Sequence, residues 1–171
     1  MVIWIAGMSA SGKTAIGQEV YQQLKADNYN VVFIDGDILR EINGNDLGHT
    51  IADRMANASR MSKLCKYLDS QGIDVVCAVL SIFPDWLAWN RNNILDYFEV
   101  YVRVPFDILL TRETKGLYRR AIAGEINNVV GVDIEFPEPI APDLIIDNDI
   151  ELTSFAEMGD KILKAVAIRF K

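Results

Sequence analysis

The residues best suited to chemistry form the segment Gly-Met-Ser-Ala-Ser-Gly-Lys-Thr at positions 7–14. Gly7 and Gly12 allow a tight turn and a close approach of backbone amides to a polyphosphate. Lys13 supplies a mobile cation for the β- and γ-phosphates, and Thr14 supplies a hydroxyl for Mg²⁺. This pattern is typical of a P-loop, and it predicts a site that binds the phosphates of a nucleotide together with Mg²⁺.

The elements on either side of this segment are those that a P-loop needs. The run Val2–Ala6 has the apolar composition of a buried strand, and Ile16, Val20 and Leu24 recur afterwards at near-helical spacing. A helix that begins at the loop directs unpaired amides and the positive end of its dipole at the phosphates. An ordinary glycine-rich turn between strand and helix is the alternative, and this context disfavours it.

Size and composition predict a single globular domain over residues 1–171. The net charge of −7 argues against a nucleic-acid polymer as partner, although basic residues cluster locally around 112–120. Cys65 and Cys77 lie in apolar segments without metal-ligand spacing, so we expect buried thiols in a reducing compartment. The chain shows no signal peptide and no apolar run of about 20 residues, which favours the cytoplasm and no membrane partner.

Predicted strands and helices alternate along the rest of the chain. Further strands are expected at 31–34, 73–80, 97–104 and 144–146, and helices at about 13–25, at 50–70 and up to residue 170. Residues 81–89 have an irregular, aromatic pattern. The alternation predicts an α/β fold with a doubly wound, mostly parallel five-stranded sheet flanked by helices. The polar, basic segment 112–131 is interpreted as a mobile lid.

Two groups of polar residues are candidates for a second part of the site. Asp35 and Asp37 follow the second strand, and parallel sheets bind ligands beyond the carboxyl ends of their strands. Arg54 and Asn57 lie three residues apart in the helix that Thr50 is expected to cap. A strand-ending turn and a solvated helix face are the respective alternatives.

Further short motifs follow in order: Asn45-Asp46-Leu47-Gly48, Lys115-Gly116-Leu117-Tyr118, and Ala123-Gly124-Glu125-Ile126 followed by Gly131 and Asp133. With the P-loop and with Asp35-Gly36-Asp37, they make the sequence resemble the adenylylsulfate kinases from Val2 to about Asp147. That family uses ATP to phosphorylate the 3′-hydroxyl of adenosine 5′-phosphosulfate. The resemblance implies a P-loop kinase fold, ATP and Mg²⁺ as cofactors, a small nucleotide as acceptor, and a homodimer.

The resemblance also implies roles for individual residues. The ATP-binding residues are then Gly7, Ser9, Ala10, Ser11, Gly12, Lys13, Thr14 and Arg112. The catalytic residues are Lys13, Asp35, Asp37 and Lys115, and the Mg²⁺ ligands are Thr14 and Asp35. The acceptor-binding residues are Asp37, Arg40, His49, Arg54, Asn57, Ser81, Lys115 and Val129. A lid that carries Arg112 and Lys115 would close over the phosphates and exclude water, with a solvated charge run as the alternative.

The sequence departs from the family where the acceptor base binds. In the family, two aromatic side chains sandwich the adenine, and their positions are occupied here by His49 and Val129. Trp86 and Trp89 follow in an altered loop and are interpreted as a core-facing helical stripe, with base stacking as the alternative. These changes make relatives that phosphorylate cytidine diphosphoramidate, a capsule-modification precursor, the alternative to adenylylsulfate kinases. A nucleotide-binding regulator without kinase activity is a more distant alternative.

Overall fold

The fold is built on a five-stranded sheet in the order β2-β3-β1-β4-β5, in which all neighbouring strands run parallel. The computed structural model describes residues 1–27, 29–149 and 155–170. The strands are β1 Val2–Ala6, β2 Val31–Asp35, β3 Asp74–Val79, β4 Tyr97–Arg103 and β5 Leu144–Asp147. Every residue of the central strand β1 is buried, as expected for a parallel strand covered on both faces.

Helices cover both faces of this sheet. They are α1 Lys13–Ala26, α2 Gly36–Ile42, α3 Ile51–Ser70, α4 Pro84–Asn93, α5 Phe106–Arg112, α6 Leu117–Ile122 and α7 Ala156–Arg169. Ile3 and Ile5 pack with α1 and α7 in one apolar cluster. Val2 and Trp4, which alternate with them along β1, pack with α3 and α4 in a second. The doubly wound α/β fold that the sequence predicts is confirmed.

The structure also corrects the predicted elements. The segment 81–89 is not irregular throughout, because α4 begins at Pro84, a residue favoured in the first turn of a helix. Trp86 and Trp89 lie on this helix, half-buried and packed edge-to-face with ring centroids 5.4 Å apart. Trp86 Nε1 approaches Met55 Sδ of α3 at 3.2 Å, so this pair faces α3 and does not enter the core. Helix α2 was not predicted.

Other sequence expectations are met. Thr50 Oγ1 accepts a hydrogen bond of 3.2 Å from the Asp53 amide and so caps α3 as predicted. Cys65 and Cys77 are buried free thiols. The sequence also favours a turn at 27–30, between the first helix and the second strand, and residue 28 within it lies outside the described residues. Within the described ranges, no helix combines the length and the apolar character that crossing a bilayer requires.

Candidate active site

The P-loop leaves β1 and enters α1 through a turn that requires glycine at two positions. A Cβ on Gly7 would lie 2.7 Å from Ser11 Oγ and 2.9 Å from the Val102 carbonyl oxygen. Gly12 has a φ of +88°, and a Cβ there would also lie 2.8 Å from Asn148 Nδ2. Side chains at these positions would push the loop away from β4 and β5, so the glycines set its approach to the sheet.

The reactive side chains of the P-loop face the carboxyl end of β2. Thr14 Oγ1 donates a hydrogen bond of 2.8 Å to Asp35 Oδ2, which joins α1 to the residue that ends β2. Lys13 Nζ donates to the Met8 carbonyl at 3.3 Å. Burial lowers the pKa of Lys13, while Asp35 and Asp37 act in the opposite direction. The loop thus places the partly desolvated ammonium group of Lys13 near the Thr14 hydroxyl and the Asp35 carboxylate.

Two side chains from outside the P-loop contact its backbone carbonyls. The Tyr118 hydroxyl of α6 donates to the Ser9 carbonyl at 2.9 Å. Asn148 Nδ2, just after β5, donates to the Ser11 carbonyl at 2.9 Å. Burial raises the pKa of Tyr118 to about 12, so its hydroxyl remains a donor at neutral pH. Arg112, a predicted ATP-binding residue, donates from Nη1 to the Asn148 carbonyl at 2.6 Å.

The predicted lid packs on the P-loop. Met8 and Ala10 contact the apolar cluster formed by Leu109, Tyr118, Ala121 and Val129. Val129 is 4% exposed, so this predicted acceptor-binding side chain lies inside the lid in this conformation. The cluster orders a segment whose composition alone is that of a polar loop, and the mobility of the lid remains a prediction.

Lys115 lies at the start of the lid helix α6, exposed to solvent. Its backbone amide donates to Glu113 Oε1 at 2.7 Å, and the Leu117 amide donates to Glu113 Oε2 at 2.6 Å. Gly116 between them has a φ of +74°. Glu113 therefore caps the first turn of α6 and sets the backbone from which Lys115 extends.

Two arginines approach each other on the side of the P-loop where α2 and α3 begin. Arg40 Nη1 donates to the Gly48 carbonyl at 2.8 Å. Arg54 donates from Nε to the His49 carbonyl at 2.9 Å and from Nη2 to the Asn128 carbonyl at 2.8 Å. Burial, and next the positive charge of Arg40, lower the pKa of Arg54. The two neighbouring cations donate to neutral carbonyls, and Asp133 and Asp37 lie close enough to raise the pKa of Arg54; paired cations of this kind can bind an anion.

His49 is exposed beside these arginines. Partial burial, followed by the charges of Arg54 and Arg40, lowers the pKa of His49, whereas Asp37 and Asp53 raise it. The imidazole is consequently neutral at physiological pH. A neutral imidazole can stack on a base or accept a hydrogen bond without adding charge.

Asn57 and Ser81 are the remaining predicted acceptor-binding residues. Asn57 is 7% exposed on α3, and among the described residues its Oδ1 has no hydrogen-bond partner. Ser81 follows β3 with a φ of +60°, a strained conformation for serine, and its Oγ accepts from Trp4 Nε1 at 3.1 Å. An unpaired buried oxygen and a strained backbone are features often found at ligand sites.

The structure brings most predicted residues into two adjoining groups. The first group consists of the P-loop residues and Asp35, which the hydrogen bond from Thr14 joins. The second group contains Arg40, His49, Arg54 and Asp37. Arg40 and Asp37 lie close enough for their charges to shift the pKa values of His49 and Arg54, and Asp37 also acts on Lys13 of the first group. Sequence reasoning assigned no roles to Glu113, Tyr118 or Asn148. The motif Lys115-Gly116-Leu117-Tyr118 could have indicated a role for Tyr118. The role of Asn148 can be recognised only once β5 has been placed beside β4.

A parallel sheet with a P-loop after its central strand, a carboxylate at the end of a nearby strand and a lid over the loop defines a P-loop kinase. The family model of adenylylsulphate kinase matches residues 1–147 of the chain. The chain therefore belongs to the adenylylsulphate kinase family. It is an ATP-dependent phosphotransferase with a hydroxyl group as acceptor.

Individual relatives differ in the substrate that their names give. The chain is 40% identical over 170 residues to a cytidine diphosphoramidate kinase of Campylobacter jejuni, covering 98% of this chain and 96% of that protein. It is 36% identical over 164 residues to an adenylyl-sulfate kinase of Halothermothrix orenii, covering 96% and 88%. The APS kinase of Mycobacterium tuberculosis, solved with AMPPNP and APS, matches with a TM-score of 0.87 and 30% identity over 97% of this chain and 96% of that one.

Proposed function

We propose that this chain transfers the γ-phosphate of ATP to the ribose 3′-hydroxyl of cytidine diphosphoramidate. The observation that favours this acceptor over adenosine 5′-phosphosulfate is that His49 and Val129 replace the two aromatic side chains that sandwich the adenine in the family. His49 is exposed, and Val129 is buried among lid residues, so neither provides the broad aromatic face that favours a purine. The similarity to the Campylobacter jejuni kinase supports the same acceptor.

The arrangement of side chains suits this reaction. Phosphoryl transfer depends mainly on positioning and charge neutralisation. The P-loop amides and Lys13 would bind the ATP phosphates, and Thr14 and Asp35 provide the one or two hard oxygen ligands that Mg²⁺ takes from a protein in such sites. When bound, Mg²⁺ would neutralise negative charge on the ATP phosphates. Asp37, at the exposed start of α2, would accept the proton of the acceptor hydroxyl.

The acceptor phosphates and the lid complete the proposed site. Arg40 and Arg54 would bind the anionic diphosphoramidate, because they lie close together and, among the described residues, their hydrogen bonds go to neutral carbonyls. Lys115 would neutralise charge on the transferred phosphoryl group when the lid closes. Asn57 Oδ1 would accept a hydrogen bond from the nucleotide that is phosphorylated. The homodimer implied by the family resemblance remains a prediction, which sedimentation equilibrium tests.

Adenosine 5′-phosphosulfate is the second candidate acceptor. It is favoured by the presence of Arg40, Arg54 and Asn57, which the family resemblance assigns to the acceptor nucleotide. Both candidates present a ribose hydroxyl and an anionic group to the same side chains. They differ in the base, and the stacking positions therefore distinguish them.

An assay of ADP release with each acceptor tests the proposal. We expect kcat/KM for cytidine diphosphoramidate to exceed that for adenosine 5′-phosphosulfate by roughly tenfold or more, the size of one lost base-stacking contact. Phosphorus NMR of the product would locate the new phosphate. Lys13→Ala protein, purified in the same way, would show how much ADP release comes from contaminating kinases. A reversed ratio would assign adenosine 5′-phosphosulfate, and turnover of neither acceptor would remove both.

A further inference from the structure

The peptide planes of the P-loop determine whether it can bind phosphate. Its amides must point towards the phosphates, and its carbonyls, which would repel them, must point away. In a trans peptide the C=O of one residue and the N–H of the next point in opposite directions. Every peptide bond in the described part of the chain is trans. A donor that binds a P-loop carbonyl from outside therefore also orients the following amide.

Tyr118 is such a donor for the first part of the loop. Its hydroxyl binds the Ser9 carbonyl, which shares a peptide plane with the Ala10 amide. The Ala10 N–H consequently points away from Tyr118. Ala10 has a φ of +64°, and within the described residues its amide donates to no protein acceptor. Tyr118 is itself held rigidly, because it is 1% exposed and packs edge-to-face on Phe106 at 5.1 Å between ring centroids.

Asn148 has the same relation to the end of the loop. Its Nδ2 binds the Ser11 carbonyl, whose peptide plane carries the Gly12 amide. This amide too donates to no acceptor in the part of the chain that the structure describes. Asn148 is 3% exposed, and its own amide donates to the Arg103 carbonyl at 3.0 Å, which continues the pairing of β5 with β4.

We propose that Tyr118 and Asn148 are positioning residues for the nucleotide, which orient the Ala10 and Gly12 amides towards its phosphates. Both lie far from the P-loop in sequence, by 109 and 137 residues, and approach it from the lid and from β5. Amides oriented before binding need not reorganise when the nucleotide arrives, so the two hydrogen bonds contribute to affinity for ATP without touching it. This inference rests on the ATP-binding part of the proposed function and not on the acceptor.

The test compares two variants with matched controls. Tyr118→Phe removes one hydroxyl and keeps the ring packed on Phe106. Asn148→Leu removes the N–H donor and keeps a side chain of similar volume. Tyr101→Phe is the control for the first, because it also removes one tyrosine hydroxyl, whose partner at 3.1 Å is Glu138 Oε1 and not a P-loop carbonyl. Asn93→Leu is the control for the second, because Nδ2 donates to the Trp89 carbonyl at 2.8 Å at the end of α4. Asn148→Ala with Asn93→Ala replaces this pair if Asn148→Leu does not fold.

The readout is the Kd for AMPPNP, measured by calorimetry at 25 °C on protein whose folding is verified by circular dichroism. We expect the Kd to rise roughly three- to tenfold in each variant and to stay unchanged in the controls, because one neutral hydrogen bond is lost. In turnover assays KM for ATP should rise, with KM for the acceptor unchanged. A purely structural role would lower the Tm without this selective change.

The outcomes separate this inference from the proposed function. If wild-type protein binds AMPPNP and the Kd of either variant stays within about twofold of its control, the inference fails for that residue. If wild-type protein does not bind AMPPNP, the ATP-binding role itself is overturned. Because no acceptor is present in the binding measurement, its result is independent of which acceptor the enzyme uses.

Discussion

The donor half and the acceptor half of the site are built differently. In the donor half, protein groups from β5 and the lid bind the P-loop carbonyls, and the Thr14 hydroxyl binds Asp35. In the acceptor half, Arg54 donates to the carbonyls of His49 and Asn128, and His49 is exposed. The buried Asn57 Oδ1 lacks a partner among the described residues. In the donor half the loop carbonyls are bonded by the protein, while Ser11 Oγ and the Ala10 and Gly12 amides have no partner among the described residues; in the acceptor half the unpaired groups are on the helix and loop side chains.

This difference indicates where specificity can change. Where the geometry of the donor half depends on internal contacts, substitutions should impair the binding of all nucleotides alike. The acceptor half contains exposed and unpaired side chains, so single substitutions can alter the preferred base while the P-loop keeps its shape. The variants below test this distinction, from the largest expected effect to the smallest.

Lys13→Ala should reduce kcat/KM by about a thousandfold or more, because charge on the transferred phosphoryl group would lose its P-loop cation. Lys25→Ala is the matched control, since this lysine ends the same helix and lies over the ring of Tyr21. Steady-state ADP release measures both variants, and thermal denaturation verifies that both are folded. Full activity of folded Lys13→Ala would contradict the role assigned to this residue.

Arg54→Ala should raise the acceptor KM by roughly ten- to a hundredfold, the range for a charge-assisted hydrogen bond to an anion. The KM for ATP should change little, because the hydrogen bonds of Arg54 go to the His49 and Asn128 carbonyls and not to the P-loop. Lys63→Ala, an exposed cation on the same helix, controls for a general loss of positive charge. Equal increases in both KM values would remove the division into donor and acceptor halves.

Asn57→Leu should affect stability and function in opposite directions. Removing a buried unpaired carbonyl should raise the free energy of unfolding by about 1 kcal/mol, while the lost acceptor contact should raise the acceptor KM by roughly tenfold. Ser62→Ala is the control, because Ser62 Oγ is also buried on α3 without a partner among the described residues. The control should alter stability without changing KM. A lower stability of Asn57→Leu with unchanged KM would assign Asn57 to the core.

The sequence predicted the donor half better than the acceptor half for a physical reason. The P-loop chemistry is local, because eight consecutive residues carry the glycines, the cation and the hydroxyl. Asp35 could be placed near Thr14 since parallel strands end at one edge of the sheet. The partners of the loop carbonyls were missed because Tyr118 and Asn148 act across 109 and 137 residues. Such contacts depend on strand order, which no local pattern encodes.

The acceptor half combines several loops, and its prediction was correspondingly incomplete. Arg40 and Arg54 were predicted as acceptor-binding residues from the family resemblance, but the carbonyls that orient them belong to residues 47–49 and 128. The burial of Val129 was not foreseen, because an apolar residue in a polar segment has no periodicity to indicate its direction. The irregular pattern expected at 81–89 overlooked the ten-residue helix that begins at Pro84.

The smallest expected effect concerns His49, and it tests base recognition directly. His49→Phe should lower KM for adenosine 5′-phosphosulfate by roughly two- to fivefold, because a larger ring stacks better on a purine and the histidine already supplies part of that contact. KM for the cytidine acceptor should change less.

Val129→Phe should instead destabilise the fold by about 1–3 kcal/mol, because that side chain lies in the packed lid cluster.

The pH dependence of the His49→Phe variant gives a second measure. The pKa of His49 is lowered by burial and by Arg54 and Arg40, so the imidazole gains its proton only below its ordinary range. As the pH falls through that pKa, the new positive charge beside the arginines should lower the acceptor KM of the wild-type enzyme. His49→Phe should lack this change, and His49 is the only histidine of the chain. The ratio of the wild-type KM to the His49→Phe KM cancels protonation of the acceptor, and a ratio constant from pH 5 to 8 would show that the charge of His49 does not contribute to acceptor binding in that range.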